Sequence, residues 1–239
     1  MLNKIKIVGK VLPIETKEKE KREKNERVFY FSLLVPNPSG SLTILRCAAQ
    51  REVAEVIEKE IKQDEIIEVR GYLRNEKSGR QVLVKVVEFT KLDITLDEVD
   101  ENYSNQVRLL GKIVTDFKVR ENGRDPEVLS FRVAVPREGN NLPFFFCRVQ
   151  GAGLIAEVND KLKRNDIVLL EGFLQTKKIV EEEKISRISS IICQTFTLID
   201  NDSVSIFNPL DKFTRIVGEI ERIDFAKPKE KWGEKEIEG

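Results

Sequence analysis

Apolar and charged positions alternate along much of the chain, and the alternation itself repeats. Lys4-Ile5-Lys6-Ile7-Val8-Gly9-Lys10-Val11 puts Ile5, Ile7 and Val11 on one side of an extended strand and its lysines on the other. Asn105-Gln106-Val107-Arg108-Leu109-Leu110-Gly111-Lys112-Ile113 repeats the pattern, and Phe213-Thr214-Arg215-Ile216-Val217-Gly218-Glu219-Ile220 does so a third time. After the first copy, residues 15–27 form a Lys/Glu-rich run that reads as a solvated hairpin excursion. Val28-Phe29-Tyr30-Phe31-Ser32-Leu33-Leu34-Val35 is a dense strand ending at the turn Pro36-Asn37-Pro38-Ser39-Gly40, and residues 42–48 form the return strand. Val53, Val56, Ile57 and Ile61 then recur at helical spacing. Residues 65–73 and 81–92 read as two further strands around the polar turn at 75–80.

The same order returns in residues 105–200. Gly9 pairs with Gly111, Phe31 and Val35-Pro36 with Phe131 and Val135-Pro136, Cys47 with Cys147, Gly71 with Gly172, and Phe89-Thr90 with Phe196-Thr197. Three strands, one helix and two strands is the order of a five-stranded Greek-key barrel of the OB type. The predicted fold is therefore all-β with a minor helix: two tandem OB-fold barrels, at 1–96 and 105–200, joined by an acidic linker at 97–104. Residues 201–239 are left as a C-terminal segment carrying an isolated third copy of the first OB strand, which cannot close a barrel alone.

Composition narrows the chemistry. With 40% hydrophobic and 34% charged residues in 239, the chain suits two soluble domains, no apolar run approaches a membrane span, and the cytoplasm is the expected location. The absence of His removes Ser-His and Cys-His bases and any mixed Cys/His zinc site, while Cys47, Cys147 and Cys193 are too scattered for a disulfide framework and read as buried thiols. No phosphate-cradling glycine loop occurs, so no enzyme, cofactor, metal or small-molecule substrate is expected. The net charge of zero conceals a division: residues 1–93 carry 19 Lys/Arg against 15 Asp/Glu, and 105–200 carry 15 against 13, whereas 94–104 carry four acids and no base. Both repeats are mildly basic, compatible with a nucleic-acid partner.

Period-two geometry identifies the side chains that strands two and three turn outward. In repeat two these are Ser130, Arg132 and Ala134 with Phe144, Phe146, Arg148 and Gln150, the mix of aromatics and arginines that stacks bases and neutralises phosphates. Lys112, Lys118, Arg120 and Arg124 on the first hairpin, and Lys177 and Lys178 beyond strand four, would flank that face. In repeat one the outward set contains Tyr30, Ile44 and Arg46, flanked by Lys10 on the first strand and by Arg74, Lys77 and Arg80 on the loop between strands four and five. The same exposed aromatics also fit a protein-docking patch, against the other repeat or a second chain.

The second repeat resembles the bacterial single-stranded DNA-binding protein family. The resemblance lies in Asn105-x-Val107-x-Leu109-x-Gly111-Lys112-Ile113, in Phe131-x-Val133-Ala134-Val135, and in Val168-x-Leu170-Glu171-Gly172-x-Leu174-Gln175-Thr176. It covers nearly all of 105–200 and, more weakly, 2–93. It implies non-catalytic, sequence-tolerant binding of single-stranded DNA in replication, recombination or repair, with bases stacked at three places filled here by Phe144, Gln150 and Ile179. It also implies an assembly of four OB domains, which a homodimer of this chain would supply. The other reading that stands beside it is an OB-fold protein–protein interaction module of a replication or recombination assembly.

Overall fold

The computed structural model describes residues 3–14, 27–76, 80–122, 125–135, 143–181 and 184–199. The third strand copy at 213–220, Arg124 and Lys77 lie outside the described residues. The first repeat runs β1 (Asn3–Val11), β2 (Val28–Pro36), β3 (Leu42–Gln50), α1 (Arg51–Glu60), β4 (Ile66–Asn75) and β5 (Val82–Leu92). The second runs β6 (Asn105–Ile113), β7 (Lys118–Asn122), β8 (Asp125–Ala134), β9 (Phe144–Gln150), α2 (Ala152–Lys161), β10 (Ile167–Glu181) and β11 (Lys184–Ile199). The expected order of three strands, one helix and two strands holds in the first half; the second half adds β7, a short strand paired with β8.

Each half closes on itself as a five-stranded barrel. The ladders β1–β2, β2–β3, β3–β5, β5–β4 and β4–β1 complete the first circuit, and β6–β8, β8–β9, β9–β11, β11–β10 and β10–β6 complete the second. Inward positions follow the alternation: Ile5, Ile7, Phe31, Val35 and Cys47 fill one barrel, and Val107, Leu109, Phe131, Phe145 and Cys147 the other, all buried. Burying each such large apolar side chain stabilises the fold by about 1.5–3 kcal/mol. All three thiols are buried as expected, and burial pushes the Cys47 thiol well above its ordinary range.

Closure needs glycine at matched places. A Cβ on Gly71 or Gly172 would lie 1.9 Å from the Lys85 or Ile192 carbonyl oxygen, so only a residue without one lets β4 and β10 come so close to β5 and β11. The register shifts by one residue at each of these glycines, a β-bulge that bends the long strands around the barrel.

The barrels are joined through their first strands: β1 and β6 pair antiparallel with Ile5 opposite Val107, Asn3 opposite Leu109, and Ile7 opposite Asn105. Because Asn3, Ile5 and Ile7 occupy the same repeat positions as Asn105, Val107 and Leu109, an approximate two-fold axis passes through the Ile5–Val107 pair.

 

The ends of that ladder are held by side chains acting as backbone. Asn105 donates to the Leu174 carbonyl (2.8 Å) and accepts from the Leu174 N–H (3.1 Å), and Asn3 does the same with Leu73 (both 2.9 Å). Each amide thus continues the ladder to β10 or β4 by one more pair. Asn105 also donates to Asn37 Oδ1 at 2.8 Å, which ties the second barrel to the β2–β3 turn of the first. The acidic connector is more built than its composition suggests. Residues Leu96–Glu98 form a 3-10 turn, and buried Ser104 donates its hydroxyl to the Pro36 carbonyl (2.6 Å) while its own carbonyl accepts from the Val8 N–H.

Candidate nucleic-acid interface

The outward face of β7, β8 and β9 is set by register. Lys118 lies opposite Ser130 and Ser130 opposite Arg148, so one row crosses three strands. The next rows pair Arg120 with Val128 and Gln150 on one side, and Arg132 with Phe146 on the other, followed by Ala134 with Phe144. Because Phe145, Cys147 and Val149 point into the barrel, their neighbours on β9 must face out. Phe144 is 49% exposed. The Arg148 guanidinium lies 5.3 Å from the centre of the Phe146 ring, a cation–π contact that presents a flat, positively charged platform.

Electrostatics sharpen the picture. Among the described residues, none of Lys118, Arg120, Arg132 and Arg148 is ion-paired with a carboxylate. Partial burial holds the Arg148 guanidinium below its usual range, and the nearby charge of Arg120 lowers it further. Like charges held together in this way favour an anion between them.

The matching face of the first barrel is closed. Period two turns Tyr30 outward as expected, but the ring is only 7% exposed, because Val28, Ala48 and Leu83 pack around it. Arg46 covers it at 5.0 Å and is itself paired with Glu76 at 2.8 Å. Expecting Tyr30 to be an open stacking group is therefore corrected: alternation gives direction, while β5 supplies a cover the local pattern does not show. Among the flanking cations, Lys10 pairs with Asp64 at 3.4 Å, Arg74 is half-buried, and Arg80 is exposed.

Lys112 is exposed on β6. Lys177 and Lys178 are exposed too, but they belong to β10, which runs to Glu181, so their expected place beyond the strand is also corrected. Arg187, opposite Lys178 on β11, joins this basic hairpin and went unnoticed in the sequence because no motif marks it. The first barrel supports the second's site from below: Asn75 donates to the Phe144 carbonyl at 2.7 Å, and in reverse the Thr176 N–H donates to Thr43 Oγ1 at 3.0 Å. A groove of 440 Å³ lies elsewhere, between Pro36, Leu42, Leu96 and Val99; its lining includes Asp97, Asp100 and Glu101, which suits no phosphate.

Among known families, residues 104–199 match the single-strand binding protein family. Two solved structures of the single-stranded DNA binding protein from Thermus aquaticus are similar in fold. A deletion mutant is 19% identical with a TM-score of 0.62, over 87% of this chain and 97% of that one. The wild-type protein is 16% identical with a TM-score of 0.61, over 83% and 93%. No curated protein matches the chain in sequence.

Proposed function

We propose that this chain, whose residues 104–199 match the single-strand binding protein family, binds single-stranded DNA, without catalysis and with little regard to sequence, on the β7–β8–β9 face of its second barrel. The observation that carries the reading is the set of four cations with no carboxylate partner among the described residues, laid out beside outward Phe144 and Phe146. Phosphates would be neutralised by Lys118, Arg120, Arg132 and Arg148, with bases stacked on the two rings. The first barrel, with Tyr30 covered and Arg46 paired, holds the site's edge through Asn75. Two chains would bring four barrels together, in the cytoplasm and in the service of replication, recombination or repair.

Fluorescence anisotropy with oligo-dT tests this. Four phosphate contacts on a single strand give a log–log salt slope of about −3, so affinity falls about fifty-fold between 50 and 200 mM salt. Phe144→Ala should weaken binding about tenfold, in line with about 1–3 kcal/mol per stacked base. Arg46→Ala in the closed face should change it less than about twofold, since its charge is already paired. Absence of saturable binding at low salt would replace this reading with the protein-docking one.

A further inference from the structure

β9 and β11 run side by side only where Cys147, Arg148 and Val149 pair with Ile191, Ile192 and Cys193. Ahead of that ladder the two strands part, and the β4–β5 turn of the first barrel is bonded to both. Its Asn75 amide donates to the Phe144 carbonyl on β9 (2.7 Å). On the other side the Arg80 carbonyl accepts from the Ser189 N–H of β11 (2.9 Å), and the Val82 N–H donates to the Ser189 hydroxyl (3.1 Å). The Glu76 N–H closes the turn on the Gln81 carbonyl at 2.9 Å, which keeps Asn75 and Arg80 together.

The ladder to β8 leaves the Phe144 carbonyl for this contact. The Val135 N–H donates to the Pro143 carbonyl (3.0 Å), so by alternation Ala134 and Phe144 form a pair without mutual hydrogen bonds, and the Phe144 carbonyl points away from β8. The related place in the other direction is built differently. Thr176, four residues after Gly172 as Asn75 is after Gly71, shares its hydroxyl with Ser189 of its own hairpin (2.9 Å), and its N–H is what reaches across, to Thr43 Oγ1 (3.0 Å). Of the two seams, the side-chain donor to a strand carbonyl lies at the one beside the half-exposed ring of Phe144.

Resting on the β7–β8–β9 reading, we propose that Asn75 is a positioning residue for base stacking. By fixing the backbone of Phe144 it settles in advance the place of a ring that a base would otherwise have to order, so the closed barrel sets the stacking strength of the open one.

A double-mutant cycle on the full chain, read by fluorescence anisotropy with oligo-dT, tests the proposal. Asn75→Ala should weaken binding about fivefold, part of the about tenfold that Phe144→Ala removes, with the salt slope unchanged because no phosphate contact is lost. On a Phe144→Ala background the same change should cost less than about twofold, since the ring it positions is gone. Thr43→Val, which removes a hydrogen bond from the other seam, should leave affinity within about twofold. A loss of about fivefold that recurs on the Phe144→Ala background would overturn the proposal. So would an equal loss from Thr43→Val, which would mean a general loosening between the barrels. A wild-type chain that binds and an Asn75 variant that binds equally well would overturn the positioning role alone, whereas a wild-type chain without saturable binding would defeat the face assignment and this role with it.

Discussion

Asn105→Ala is expected to destabilise the chain by about 2–6 kcal/mol, because it leaves the buried Leu174 N–H and C=O without partners at about 1–3 kcal/mol each. Asn37 loses a donor in the same step, so the β2–β3 turn loosens together with β10. Asn105→Asp should be no rescue: a carboxylate could still accept from the Leu174 N–H, but it would face the Leu174 carbonyl and Asn37 Oδ1 with no proton to offer. Gln106→Ala, one position along and half-buried, should stay within about 0.5 kcal/mol. The urea midpoint reads all three, and a loss confined to the Gln106 variant would refute the account.

Gly172→Ala is the second large effect. Its Cβ would sit 1.9 Å from the Ile192 carbonyl oxygen, a backbone atom that can yield only if β10 and β11 separate at the bulge. The cost should be about 3 kcal/mol or more, at the upper end of overpacking. Gly153→Ala provides the contrast: its Cβ meets nothing within 4 Å and lies in α2, so the substitution should stabilise by about 0.5–1 kcal/mol. Opposite signs for the same chemical change would show that barrel closure, rather than glycine as such, is at stake. Thermal unfolding of the two variants decides it.

The strands and helices were legible because the first half alternates where one face is buried and changes to helical spacing at Val53 to Ile61, and the second half repeats its landmarks in the same order. Direction was legible as well, as Phe144, Phe146 and Arg148 show, since period two needs no tertiary knowledge. Exposure was not. Tyr30 points as alternation says, yet Leu83 from a strand far along the chain covers it. The β1–β6 ladder was equally hidden, because each strand looks complete within its own barrel and nothing local says that its second edge belongs to the other. Lys177 and Lys178 were misplaced for a related reason: strand length beyond the barrel is set by the partner β11 rather than by the residues themselves.

The Ile5–Val107 axis has a consequence for how the two faces could come to differ. In an assembly of identical subunits every substitution appears at both related positions, so a face cannot be closed on one side and kept open on the other. Here each position is encoded separately. A glutamate at position 76 can neutralise Arg46 without touching Arg148, and one barrel is free to become a support while the other keeps its cations. Dilution cannot part the two, since they share one chain, and the geometry of a pair is kept while its members take on different work.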